Sequence, residues 1–351
     1  MIKKVVIVGG GFAGSYCAQH LEHKFQVTLI DTKDYFEFTP SILRAMVDPA
    51  HISQIQVYHH AYLQHTTIVC GTVTAITSHE VIVGKEKYLY DYLIICTGSR
   101  YHSLIKSGDV ILVGRNKEVS GITAKIKKAS SILIVGGGLV GVELAAEIKE
   151  TFQEKKVTVV HSKSVLLERS SSKAQQIAAQ FLQKQGVELL FNERVVSHSR
   201  QNYCTYSGKK IKADLAFLCT GILPDSTCVQ GHYASCLDER NFLSVNEFLQ
   251  VKGSSHVFAA GDVTSIFEEK TAQNALEQAK IVVKNIENME RGFPLQEYHS
   301  SPRIMVMSLG RKNGIIMYRR WAIAGRIAAF LKRLIEWKTM RGYKSAQNNT
   351  S

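Results

Sequence analysis

The chain has 351 residues, 45% of them hydrophobic, and a formal net charge of +13. That length exceeds one dinucleotide-binding unit and suits two with an appendage, and the apolar content excludes a solvated, unfolded chain. Seven cysteines (17, 70, 96, 204, 219, 228, 236) form no C-x-x-C pair, no C-x4-C pair and no zinc-like cluster, which excludes a protein-dithiol relay and a zinc module.

The first element is the apolar strand Val5 to Val8, which runs into Gly9-Gly10-Gly11-Phe12-Ala13-Gly14 and a helical pattern from Ser15 to Leu21. This is G-x-G-x-x-G in strand-turn-helix context. Gly9 permits the tight turn, Gly11 lets the backbone approach a pyrophosphate, and Gly14 lets helix and strand pack closely, with Phe12 and Ala13 between them. The next strand ends at Asp31, placed to grip ribose hydroxyls. The pair His59-His60 lacks metal-ligand spacing and reads as surface, so no metal site is expected.

The pattern then repeats. Ile132 to Val135 leads into Gly136-Gly137-Gly138-Leu139-Val140-Gly141 and a helical pattern from Val142 to Lys149. Gly136, Gly138, Leu139 and Gly141 are its candidate phosphate contacts. The following strand ends in His161-Ser162-Lys163, with no acid. NADH and NADPH both remain open as donors, and Lys163 is placed to attract a 2′-phosphate. Two such turns imply two dinucleotide sites in one chain.

Asp91 to Gly98 and Asp214 to Gly221 are near-copies, each an acid, an apolar strand and Cys-Thr-Gly, and His256 to Val263 carries Gly261-Asp262. With these segments the chain resembles the two-dinucleotide-binding flavoproteins, which include glutathione reductase, type II NADH dehydrogenases and apoptosis-inducing factor. The resemblance implies an α/β fold of two Rossmann-like, glutathione-reductase-like dinucleotide-binding domains, one inserted in the other, plus a C-terminal basic amphipathic segment. The expected division is a FAD-binding domain over 1–104 and 223–290, an inserted NAD(P)H-binding domain over 105–222, and a C-terminal membrane and quinone-site segment over 291–351. It implies FAD on the first turn, with Thr97, Gly98, Gly261 and Asp262 as contacts, and NADH or NADPH on the second. Hydride transfer between the two rings requires no protein acid or base, so no catalytic triad is expected. Similar flavoproteins place a glutamate where Glu143 stands, near the ring junction.

The stretch from Lys270 to Gln278 is similar to the Ala-Gln-x-Ala segment of type II NADH dehydrogenases, which lines the quinone side of the flavin. Gln273, with Lys270 before it, is therefore a candidate for the acceptor site. Glu277 stands where that family has its second glutamine, and Gln278 is displaced by one.

From Arg303 onward the chain holds eleven basic side chains and one acid, Glu336. Trp321, Ala324, Ile327, Ala328, Leu331, Leu334 and Ile335 recur at helical spacing, with Arg326, Lys332 and Arg333 on the other side. The pattern predicts an amphipathic helix over 321–335 lying in a membrane interface, which either ends near Glu336 or continues with Lys338 snorkelling from the apolar arc. No apolar run reaches a bilayer span. The tail 345–351 is polar and reads as disordered.

Met307 to Gly314, Gly325-Arg326 and Trp337 to Arg341 resemble the end of the ferroptosis suppressor proteins, the mitochondrion-associated members of the apoptosis-inducing-factor-like group. Asp31, Leu43-Arg44-Ala45, Gly136 to Glu143, Ala145 to Ile148 and His161-Ser162 match that group as well. The match adds Arg44 and Val73 to the flavin contacts. It implies an FAD enzyme that oxidises NAD(P)H and reduces ubiquinone or a related quinone, bound peripherally on the cytoplasmic face of an intracellular membrane. A homodimer is possible. Ile2 stands where animal members have a myristoylated glycine, so no acyl anchor is expected. A reductase of a small iron-sulfur or rubredoxin-like protein, and a nucleic-acid-binding or signalling flavoprotein, are the alternatives. No nucleic-acid module is visible, and none is expected as a partner.

Overall fold

The protein is described by a computed structural model covering residues 2–101, 110–112 and 119–345. The tail expected to be disordered and the expected domain boundary near 105 lie almost wholly outside these residues.

Two parallel sheets of the same plan carry the fold. The first is built from β1 (Lys4–Val8), β2 (Gln26–Asp31), β3 (Thr67–Cys70) and β4 (Tyr92–Ile95). The second is built from β5 (Val110–Leu112), β6 (Ser131–Val135), β7 (Lys156–Val160), β8 (Glu188–Leu190) and β9 (Leu215–Leu218), and β10 (Val257–Ala259) returns to the first. The orders are β10-β4-β1-β2-β3 and β5-β9-β6-β7-β8, so β1 and β6 hold equivalent central places. Their residues are apolar at nearly every position because such strands are buried on both faces. A short antiparallel ribbon, Ser99–Tyr101 against Ile222–Pro224, joins the two halves.

Each glycine turn opens a helix, α1 (Phe12–Leu21) after β1 and α3 (Leu139–Thr151) after β6. Both start earlier than the apolar pattern alone suggests, because the glycines carry no side chain to reveal the first turn. Between them lies α2 (Ile42–Val47), and after Gly261-Asp262 comes α4 (Ala272–Arg291). The α4 helix starts at Thr271, whose hydroxyl accepts from the Asn274 N–H, and stops at Gly292 in the left-handed region.

The C-terminal region departs from expectation. Residues 321–324 are not helical. They form β13 (Trp321–Ala324), the third strand of a meander with β11 (Met305–Leu309) and β12 (Asn313–Tyr318). Arg319 takes a positive φ in the turn between β12 and β13, and Gly325, at φ +141°, breaks the chain between β13 and α5 (Arg326–Ser345). The apolar spacing ran across that glycine unbroken and so mimicked one helix. The helix continues past Glu336 to Ser345, with Lys338 exposed, the second of the two expected endings.

The inner face of α5 buries the small Ala328 and Ala329 and the acid Glu336, then the larger Met340 and Tyr343 near its end. Its large apolar side chains face outward, with Ile327 73%, Phe330 56% and Trp337 55% exposed. The meander packs on the core of the second half through Met307, Leu309, Ile315 and Met317. Tyr343 at the end of α5 stacks on Phe36 in the core of the first, with ring centroids 4.1 Å apart. The C-terminal segment therefore clasps both halves.

Candidate active site

The two glycine turns share one backbone geometry. Gly9 and Gly136 have φ +101° and +117°, and a Cβ on either would stand 2.3 or 2.2 Å from the carbonyl oxygen of Cys96 or Cys219. A Cβ at Gly14 or Gly141 would come within 1.8 or 1.9 Å of the carbonyl of Gly9 or Gly136. Only glycine fits at these four positions. By contrast a Cβ at Gly138 would meet nothing within 4 Å, so the middle of the second turn faces open space of the kind a pyrophosphate requires. Gly11 and Gly138 are the residues just before α1 and α3, whose free N–H groups point the same way.

Beside the first turn, Asp31 Oδ2 accepts from the Gly10 N–H at 2.5 Å and Oδ1 from the Lys33 N–H at 3.1 Å. The carboxylate is thus held rigidly at the strand end. His59 is fully buried against Gly10 and Asp31, which corrects its reading as surface. It reaches them from a 3-10 turn, and its Nδ1 hydrogen-bonds the Tyr62 hydroxyl at 2.7 Å. Burial pushes the imidazole down to about 4. His60 remains exposed. Thr97 Oγ1 is buried without a partner, and Gly98 has φ +73°. Asp262 Oδ2 accepts from Ser99 Oγ at 2.7 Å, which ties the Gly-Asp loop to the end of β4. Glycines that leave room, an anchored ribose acid and an unpartnered hydroxyl fit a dinucleotide on the first half.

A cleft of about 1090 Å³ runs between the halves. Gly11, Phe12, Ala13, Gly98, Gly261 and Asp262 line one wall, Leu139, Val140 and Glu143 the opposite wall, and Met305, Met307, Lys332 and Ile335 the C-terminal end. At its base Glu143 Oε1 accepts from the Ser308 N–H at 2.7 Å, from Ser308 Oγ at 3.0 Å and from Lys332 Nζ at 3.1 Å. The ion pair is almost buried on both sides. Lys332 was visible in the sequence only as one of the helix's basic residues, since its partner lies 189 positions away.

Gln273 lines the cleft and is exposed there. Lys270 borders it, but its ammonium is donated to the Thr264 and Ile266 carbonyls at 2.6 and 3.0 Å. Burial lowers its pKa, with Asp262 pulling the other way. It holds the loop between Asp262 and Thr271 rather than reaching into the cleft. Gln278, set aside on spacing, is buried, and its Oε1 accepts from the Gly261 N–H at 2.7 Å. It fixes the Gly-Asp turn from below.

Arg44, expected among the flavin contacts, pairs through its guanidinium with Glu147 of α3 at 2.9 Å and donates to the Gly310 carbonyl at 3.2 Å. Arg44 locks α2, α3 and the meander together. Val73 opens the strand Val73–Ile76, half-buried, two residues beyond the Gly71 N–H that donates to the Asp31 carbonyl. His161 is buried against Gly137, while Lys163 is exposed on the loop after β7. Among the described residues no group of three or more His, Cys, Asp or Glu could hold a metal ion.

Comparison with known proteins follows the same lines. A family model for pyridine nucleotide-disulphide oxidoreductases matches residues 3–279. Apoptosis-inducing factor homolog B of Dictyostelium discoideum is 32% identical, with 96% of this chain and 94% of that protein covered. Ferroptosis suppressor protein 1 of Homo sapiens is 31% identical, covering 96% of this chain and 95% of that one. The sulfide:quinone oxidoreductase of Aquifex aeolicus superposes with a TM-score of 0.86 over 98% of this chain and 92% of that chain, at 18% identity.

Proposed function

The chain belongs to the pyridine nucleotide-disulphide oxidoreductase family, and on that premise we propose that it is an NAD(P)H:quinone oxidoreductase working at a membrane surface. It is a flavin-dependent oxidoreductase whose cofactors are FAD and NAD(P)H. FAD supplies the two-electron carrier that couples a hydride donor to a quinone. The flavin-side residues are Gly9, Gly11, Gly14, Asp31, Thr97, Gly98, Gly261 and Asp262; the nicotinamide-side residues are Gly136, Gly138, Gly141 and Glu143.

One observation carries the quinone reading. The cleft that passes both glycine turns ends against α5, at Ile335 and Thr339, on the helix whose outer face is apolar and bare. An apolar acceptor leaving a lipid phase meets Ile335 and Met305 at the α5 end of the cleft, which the Glu143–Lys332 pair also lines. Lys332, held in place by Glu143, would be a proton donor for an acceptor bound at this end of the cleft. The sulfide:quinone oxidoreductase that shares the fold acts on a quinone by name.

The outer face of α5 supports the membrane reading. Ile327, Phe330, Leu334 and Trp337 follow one helical stripe, and Trp321 and Ile323 extend it onto β13. Each gains on the order of 1.5–3 kcal/mol on leaving water as an upper bound, and each nearby Arg or Lys adds about 1 kcal/mol at an anionic surface. Among the described residues no helix is long and apolar enough to cross a membrane. Attachment by this face is peripheral and reversible.

The test is anaerobic stopped-flow. Protein reduced by NADH or NADPH and then mixed with short-chain ubiquinone should bleach and recover its flavin colour promptly. Bleaching without recovery would move the acceptor to a small redox protein. No bleaching with either donor would overturn the enzyme reading. Flotation with anionic vesicles, lost on changing Phe330 and Trp337 to Ser, tests the attachment.

A further inference from the structure

We infer that Glu168 supplies, from the loop beyond β7, the ribose-facing carboxylate that the end of β7 lacks, and that with His161 it selects NADH over the 2′-phosphorylated donor. The inference rests on the nicotinamide reading of the second turn.

The two halves align residue for residue here. The Gly9 N–H donates to the Ile30 carbonyl and the Gly136 N–H to the Val160 carbonyl, so His161 occupies the place of Asp31. It also takes over the first duty of that acid. His161 Nδ1 accepts from the Gly137 N–H at 3.1 Å, as Asp31 accepts from Gly10. With Nδ1 an acceptor, the proton of the neutral ring sits on Nε2. That nitrogen is buried and has no aligned hydrogen-bond partner, but it lies 3.3 Å from Glu168 Oε2.

The loop is built to bring Glu168 back. Leu166 packs on Gly137, and Leu167, at φ +52°, donates its N–H to the Gly137 carbonyl at 2.9 Å. The next side chain is thereby delivered over the glycine turn. Neighbouring charges are occupied elsewhere. Arg169 faces Glu269 at 3.6 Å, and the Glu193 carboxylate accepts from Ser207 Oγ at 2.5 Å. A ribose hydroxyl can donate to the exposed Glu168 carboxylate, which the His161 ring, buried behind it, holds over the turn. A 2′-phosphate has no proton to give at neutral pH and brings like charge to Glu168. Lys163 and Arg169, both exposed on the same loop, are the competing cations.

The test is calorimetric titration of the FAD-loaded protein with NAD+ and NADP+, for wild type, Glu168→Gln and Lys163→Ala. Flavin absorbance and Tm should match in all three, since the Glu168 and Lys163 side chains are exposed and the loop is held by Leu166 and Leu167. Wild type should bind NAD+ roughly tenfold more tightly, and Glu168→Gln should remove about that factor by gaining NADP+ affinity, with NAD+ changed less than about threefold. Lys163→Ala should leave the ratio in place. Wild-type preference for NADP+, or a ratio that Glu168→Gln does not move, would overturn the assignment while leaving the nicotinamide site intact. Failure of either nucleotide to bind any of the three proteins would sink both readings.

Discussion

In each half of the molecule a buried imidazole lies against the second residue of the glycine turn, and the two do different work. His59 comes from a turn well beyond β2 and backs a carboxylate already bound to the Gly10 N–H. His161 stands at the strand end itself and binds the Gly137 N–H in the acid's stead. The turns are alike because backbone collisions leave glycine no alternative. Their flanks differ because the ribose-facing group can be met by several side-chain arrangements. Backbone geometry is therefore shared between the halves, and selectivity is local to each.

The sharpest way to break this comparison is to add one methyl group to each turn. Gly14→Ala and Gly141→Ala create almost the same clash with a carbonyl. The first should yield protein without bound FAD. The second should retain the yellow colour but bleach with NADH about 100-fold more slowly, since an ångström of misplacement costs on that order. Identical behaviour of the two variants in absorbance and stopped-flow would contradict the assignment of one dinucleotide to each half.

A smaller effect separates the halves at their joint. Glu147→Ala strips the partner from Arg44, whose guanidinium is nearly buried between α2 and α3. Breaking such a pair from one side costs about 3–5 kcal/mol. Chemical denaturation should show that loss. Glu147→Gln, which keeps an acceptor, should lose less.

The imidazoles themselves give a pH test. His59 is neutral in the fold, with its pKa lowered by burial to about 4 from an ordinary 6.5. The unfolded chain takes up a proton that the folded one refuses, so stability falls as pH drops from about 6.5 toward 4 and levels off below. The full difference is about 3 kcal/mol. His59→Gln should flatten that slope in thermal melts between pH 7 and 4. An unchanged slope would show that other groups carry the acid sensitivity.

The weakest contrast is between caps. Thr271 caps α4 in the first half, and Ser171 caps the helix Ser172–Lys184 in the second, each accepting an N–H three residues on. Alanine at either should cost about 1 kcal/mol in denaturant midpoint analysis. Both caps border the cleft, and Thr271→Ala, two residues from Gln273, should slow reoxidation by quinone more than Ser171→Ala.

What could be read from the chain divides along the same line. The strand-turn-helix units around Gly9 and Gly136, and the strands that end in Cys96 and Cys219, are dictated by local patterns and stand out at once. Asp31 belongs to them by spacing. The Glu143–Lys332 pair, the support of Gly261 by Gln278 and the burial of His59 are contacts between distant segments, with no local signal. Arg44 matched a family position, yet its charge is met by Glu147. Gly325 was the one visible sign that the apolar stripe from Trp321 spans two elements, and it needed its positive φ to be noticed.

The orientation of α5 has a consequence for handling the protein. Although Met340 and Tyr343 are buried with Ala328, Ala329 and Glu336, the side chains of Ile327, Phe330 and Trp337 turn outward, an apolar face unusual in a water-soluble domain. In plain buffer such a face has only copies of itself to cover it. The particle size seen in light scattering should then grow with protein concentration and collapse to a single small species once a mild detergent reaches its micelle-forming range. On that outcome the chain would act as a weak surfactant, and its apparent stoichiometry would be a property of the solvent as much as of the molecule.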